Sequence, residues 1–237
     1  MKKIGILTLL FILVGFTYHP GEASPSGVPL KDYQSLTLYT ETSNLKNYKT
    51  LKEIIFLPET NFNESEAAQM IERVNQIDDI ILQGLVDKGV VLKLFTGLLT
   101  DEPTAVYLKG EKPRGYSENG PTWDLVPGIG GSEVVLAKIG YSEKGKGHGS
   151  INLELHELAH SIDKFVFDSI SEDPYFLAIW NKEVKQLFPH RDYFSDYPEE
   201  YFAETFAMFY LSEQSRNQLK LSAPMTYQLF ADLGESR

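Results

Sequence analysis

The stretch Leu155-His156-Glu157-Leu158-Ala159-His160-Ser161 constrains this chain more than any other, because its H-E-x-x-H spacing has chemical meaning only on a helix. Residues four apart share a helical face, so both imidazoles can reach one metal ion while Glu157 stands beside the open coordination position. Such an arrangement activates water, and it reads as half of a zinc hydrolase site holding one Zn2+ per chain. Leu155, Leu158, Ala159, Ile162, Phe165 and Val166 recur around it with helical spacing. They predict a mostly buried helix of about five turns over residues 152–169, with Ser150 or Asn152 as its N-cap.

The N-terminus has Lys2 and Lys3, an apolar run from Ile4 to Val14, and small residues at Gly21 and Ala23. Residues 1–23 therefore read as a signal peptide, with an apolar core short for a membrane span; Phe16 and Tyr18 leave an uncleaved anchor as the alternative. A secreted, extracellular protein of bacterial origin is expected, with no stable membrane anchor after cleavage. The chain has no cysteine, which excludes a lipid-anchored cysteine and a disulfide framework. Its formal net charge of -11 argues against nucleic acid as a partner, and a monomer is expected. Asn63-Glu64-Ser65 matches a glycosylation acceptor only in a eukaryotic secretory pathway.

Residues 24–47 are polar, with Pro25, Gly27 and Pro29, and read as a loosely ordered lead-in. Residues 48–149 read as an α/β subdomain. Its expected strands lie at 51–57, 90–95, 105–108 and 134–139, with a helix over 64–86. Residues 150–237 read as helical, with segments at 152–169, 173–187 and 198–211 and a shorter one after Pro224. The fold class expected is α+β: a small mixed sheet with helices, then a helical subdomain, with the active site between them. That is the general architecture of zincin peptidases.

A catalytic zinc commonly takes three protein ligands and water. The extended H-E-x-x-H-x-x-G-x-x-H pattern fails here, because Asp163 and Val166 stand at its last two positions. His148, in a glycine-rich run, and His190, after Pro189, read as solvated loop residues. The better candidates are glutamates in Tyr197-Pro198-Glu199-Glu200-Tyr201-Phe202-Ala203-Glu204. Glu199 is explained by a capping box with Asp196. Glu200 and Glu204 share one face of an aromatic helix, where acids are costly unless paired. Glu200 is thus the candidate third ligand, and Glu204 a partner for the far nitrogen of a ligand imidazole.

The paired motifs His156-Glu157-Leu158-Ala159-His160 and Glu200-Tyr201-Phe202-Ala203-Glu204, with the tail from Asn217 to Gln228, resemble the catalytic domain of anthrax lethal factor and the small secreted Pro-Pro endopeptidases related to it. The resemblance implies zinc on His156, His160 and Glu200, with Glu157 as general base. It also implies an oxyanion-stabilising tyrosine at Tyr193, with Tyr197 as the competitor. Cleavage between two prolines, in proline-rich segments of extracellular or cell-surface proteins, follows from the resemblance alone. Proline offers no backbone donor, so recognition should lean on shape and aromatic stacking. Tyr116 and Trp123 are candidates for that contact, and Arg114 with Glu199 for bracing the pocket. Residues 134–139 are the candidate strand for pairing with an extended substrate. The turn at 130–133 sits where the secreted relatives place a mobile loop, an ordinary hairpin being the alternative. Three other readings remain: a zinc endopeptidase of different specificity, a noncatalytic binding protein on a zincin fold, and a structural zinc module, which would need His148 or His190 as a further ligand.

Overall fold

The computed structural model describes residues 26–114 and 119–235. The signal-peptide reading of residues 1–23 and the candidate Tyr116 lie outside the described residues. Five strands form one mixed sheet: β1 (Val28–Pro29), β2 (Ile55–Leu57), β3 (Val91–Phe95), β4 (Gly128–Ile129) and β5 (Val134–Lys138), in the spatial order β1-β2-β3-β5-β4. The central three run parallel and the two outer strands antiparallel. A parallel centre is covered on both faces, which is why β3 and β5 are almost continuously apolar and buried.

Between the strands lie α1 (Leu36–Thr42), α2 (Tyr48–Ile54), α3 (Glu64–Val74) and α4 (Asp79–Asp87). Asn63 caps α3 by accepting from the Glu66 amide at 3.2 Å. The helix buries Ala67, Met70, Ile71 and Val74, the spacing of a single apolar face. The single helix expected over 64–86 is in fact α3 and α4. They separate where Asn75 turns to Asn47: its side-chain oxygen takes the Asn47 amide at 2.9 Å.

Three further expectations are corrected. Residues 51–57 divide between the end of α2 and β2, since a short apolar run fits a buried helix end as well as a strand. Residues 105–108 form a 3-10 turn at Val106–Leu108 rather than a strand, with Val106 and Tyr107 exposed. The lead-in is part of the fold: β1 pairs with β2, and Leu30 and Leu38 are buried. Lys93, itself buried in β3, donates to the Ser26 carbonyl at 2.6 Å and the Leu57 carbonyl at 3.2 Å, tying that segment to the sheet.

The second half is helical: α5 (Leu153–Ser161), α6 (Pro174–Leu187), α7 (Asp192–Asp196), α8 (Pro198–Leu211), α9 (Glu213–Ser222) and α10 (Pro224–Glu235). Asn152 caps α5 through the Leu155 amide at 3.0 Å. The helix is shorter than expected, passing into a π-helical turn at Ile162–Val166. Asp163 in that turn accepts from the Ser171 amide (2.9 Å) and hydroxyl (2.6 Å). Every residue of α8 from Glu200 to Tyr210 is buried, so α8 is the central rod of this half and packs along α5. No helix among the described residues is long and apolar enough to cross a membrane.

Glu183 of α6 closes the C-terminal region by accepting from the Met225 amide (2.8 Å), the Thr226 amide (2.9 Å) and the Thr226 hydroxyl (2.8 Å) at the start of α10. Replacing it with alanine strands buried donors at a helix N-terminus. Glu183→Ala is expected to cost about 2 kcal/mol in thermal unfolding, with Glu183→Gln milder because it keeps an acceptor. An unchanged melting temperature in the alanine variant would show that water serves those donors equally well.

Candidate active site

Helices α5 and α8 bring two half-motifs together. His156 and His160 lie one turn apart on α5, their rings edge to face with centroids 5.0 Å apart. Glu200, in the first turn of α8, places Oε2 3.4 Å from His156 Nε2 and 3.6 Å from His160 Nε2. The three ligand atoms lie within 4.8 Å of one another. Two imidazoles and a carboxylate are the donor set of a catalytic zinc site, so these residues fit the metal that the motif implies.

Glu204, one turn further along α8, explains how His156 is aimed. Its Oε2 lies 3.2 Å from His156 Nδ1, and the carboxylate also accepts from the Ile151 amide at 3.1 and 3.2 Å. With Nδ1 engaged, Nε2 is the nitrogen directed at Glu200 and His160. The electrostatics are coupled. Burial disfavours charge on His156, but Glu200 and Glu204 outweigh it and raise its pKa to about 10. Burial likewise opposes charge on Glu200, and the two imidazoles overcome it, holding this carboxyl well below the usual range. A cation held by His156, His160 and Glu200 would have to compete with the proton that this environment favours on His156.

Glu157 lines the same cleft, of about 920 Å³, together with His156, His160, Tyr193, Trp123, Arg114, Glu199 and Glu200. Burial pushes its pKa up, only partly offset by the neighbouring histidines, which makes it a stronger base than a solvated carboxylate. Tyr193, on α7, donates to Glu200 Oε1 at 2.7 Å. Burial and then the Glu200 charge raise its pKa, keeping the phenol protonated at neutral pH. Its competitor Tyr197 instead carries the Arg114 guanidinium 4.0 Å above its ring. Arg114 also meets Glu199 at 2.8 Å and Glu200 at 3.2 Å. Arg114 thus ties Glu199 and Glu200 together at the rim of the cleft. The Asp196 capping box is absent, because Tyr197 is the N-cap of α8.

His148 is half-buried rather than solvated. Its ring nitrogens lie 2.6 Å from Ser150 Oγ and 2.7 Å from the Tyr141 carbonyl, so it is occupied as a loop staple. His190 is exposed with a φ of 65°. Strand β5 is an inner strand, since Leu136 and Ala137 pair with β4 on one side and with β3 on the other. The free edge beside the cleft belongs to β4. Glycine makes this possible: a Cβ at Gly128 would lie 2.9 Å from Glu157 Cγ, and one at Gly130 would clash with the Glu157 carbonyl oxygen.

Sequence reasoning missed a buried ion pair behind the motif. Glu154, fully buried on α5, meets Arg73 of α3, whose other nitrogen donates to Ser142 Oγ at 2.8 Å. The available signal was an acid two residues before His156, set between Leu153 and Leu155 at the buried start of α5.

Comparison with known proteins agrees with this geometry. The family model for anthrax toxin lethal factor, N- and C-terminal domain, matches residues 40–233. A Pro-Pro endopeptidase from Paenibacillus alvei is 43% identical over 83% of this chain and 90% of its own length. Another from Clostridioides difficile is 44% identical over 82% of this chain and 87% of its own. The solved structure of the Paenibacillus alvei Pro-Pro endopeptidase superposes with a TM-score of 0.74 at 45% identity, covering 78% of this chain and 99% of that one. The fold is therefore the α+β zincin-like fold expected. With a motif pair on facing helices and matches spanning most of its length, this chain belongs to the anthrax lethal factor family, alongside the Pro-Pro endopeptidases.

Proposed function

We propose that this protein is an exported, zinc-dependent endopeptidase that hydrolyses the bond between two prolines in proline-rich segments of extracellular proteins. The observation that carries the reading is the convergence of His156, His160 and Glu200 beside Glu157 in a cleft bounded by the β4 edge. The specificity rests on the Pro-Pro endopeptidases that share over 40% of the sequence. Export rests on Lys2, Lys3, the apolar run and the small residues before Ser24; intact N-terminal sequencing of protein from culture medium tests it.

His156, His160 and Glu200 would hold the zinc. Bound there, the metal supplies a Lewis acid that acidifies water and polarises the scissile carbonyl. Glu157 takes the proton of the attacking water and delivers it to the departing nitrogen. Without that proton the departing proline nitrogen would leave as an amide anion; with it the product is a secondary amine. Tyr193 turns its hydroxyl from Glu200 to the developing oxyanion. The edge strand β4 offers backbone groups to an extended chain, and Trp123 forms an apolar wall suited to proline rings.

Glu157→Gln should lower kcat by about 10²–10⁴-fold with stoichiometric metal retained by elemental analysis; wild-type turnover in a metal-loaded variant would remove Glu157 as the base. Tyr193→Phe should reduce kcat by about 10²-fold with little change in KM. Glu204→Ala is expected to weaken zinc affinity about 10–100-fold, read by competition with a chelating dye, because His156 loses its orienting partner. In a peptide library varied on both sides of the scissile bond, cleavage should concentrate at Pro-Pro; efficient cleavage of proline-free peptides alone would refute the specificity.

A further inference from the structure

Behind the metal ligands, the first turn of α5 is tied to α3. Glu154 is fully buried and stands two residues before His156, so the two side chains leave the helix about 160° apart. The Arg73 guanidinium, in the last turn of α3, spans two partners: its Nε pairs with the Glu154 carboxylate, and a terminal nitrogen donates to Ser142 Oγ at 2.8 Å. The Ser142 carbonyl in turn accepts from the Leu153 amide at 3.0 Å and from the side chain of Asn152, the N-cap of α5, at 3.4 Å. One arginine therefore fixes both a side chain of α5 and the loop residue that holds its first turn. From the other side, Glu204 accepts from the Ile151 amide at 3.1 Å and meets His156 Nδ1 at 3.2 Å. The start of α5 is gripped from α3 and α8 at once.

We infer that Arg73 and Glu154 are positioning residues that set the roll of α5 about its own axis, and with it the directions of His156, Glu157 and His160. Burial of Leu153, Leu155, Leu158 and Ala159 keeps the helix in the core, but hydrophobic burial has no preferred direction. A planar guanidinium joined to two fixed partners has one. A roll of about 10° moves an imidazole nitrogen lying about 6 Å from the axis by about 1 Å, and misplacement of that size costs large factors in rate. Glu154 acts through the helix rather than by contact with the reacting groups. The catalytic part of this inference rests on the endopeptidase reading above; the metal-geometry part needs only a metal at His156, His160 and Glu200.

The test uses the full-length protein, zinc-loaded for kinetics and affinity, and cobalt-loaded for visible absorption, which reports coordination geometry. One variant is Arg73→Met with Glu154→Leu, which replaces the pair by apolar groups, a change that buried ion pairs commonly tolerate without loss of stability. The other is the conservative Arg73→Lys. The double variant should melt near the wild-type temperature yet lose about tenfold in zinc affinity and a similar factor in kcat, with KM unchanged and the cobalt bands displaced. Arg73→Lys keeps the charge but cannot span both partners, so it should move the same readouts by less. A folded double variant with wild-type kcat, zinc affinity and cobalt bands overturns the inference, because a merely structural pair leaves all three unmoved. If the double variant fails to fold, Arg73→Lys decides, and wild-type values of the three in it overturn the inference. If the wild type cleaves no Pro-Pro peptide but zinc affinity and the cobalt bands shift as stated, the endopeptidase reading fails and the positioning role stands.

Discussion

The contact between α5 and α8 is the one on which the rest of the molecule depends. Two acids on a helix otherwise buried among aromatic rings would each carry a desolvation cost of several kcal/mol if left unpaired. Glu200 and Glu204 avoid this by facing His156 and His160, while Glu204 also accepts the Ile151 amide at the entry to α5. The same contacts that make the acids tolerable set the distance between the half-sites. Breaking one partner would leave a buried charge exposed to no compensation, so the pair of helices is held in register by electrostatics as much as by packing.

Around this pair the protein uses layers of support rather than a single shell. Glu154 with Arg73 and Ser142 pins the start of α5 to α3. Asp163 with Ser171 pins its end to the segment leading into α6. Glycines at 128 and 130 let the sheet edge approach the Glu157 backbone, and Arg114 bridges the opposite rim to α8. Each tie restrains Glu157 or one of His156, His160 and Glu200 through the protein itself. A site built in this way is largely pre-organised.

Much of this was legible in the residues. The H-E-x-x-H pattern and the acids at 200 and 204 stand on two strongly patterned helices, α5 and α8, and helical spacing makes face assignment direct. The helix at Pro198–Leu211 was read with its bounds as observed. Errors fell where the local signal is intrinsically ambiguous. The apolar run at 54–57 suits a helix end or a buried strand, and the polar stretch before residue 48 hides two buried leucines among turn residues. The Asp196 to Glu199 spacing has the form of a capping box, yet Arg114, some 85 positions away, claims Glu199.

The sequence by itself determined the chemistry: which side chains can bind a metal, which can move a proton, and that they must sit on helices, because those facts depend on residue type and short-range periodicity. Only the tertiary structure decided the geometry that the chemistry needs. It joined Glu200 to His156 and His160 across forty residues, made β4 rather than β5 the free edge, and brought the Gly131 amide to the Ser161 hydroxyl. Hydrogen bonds between segments distant in the chain leave no periodic trace, so they become visible only when packing brings their donors and acceptors together.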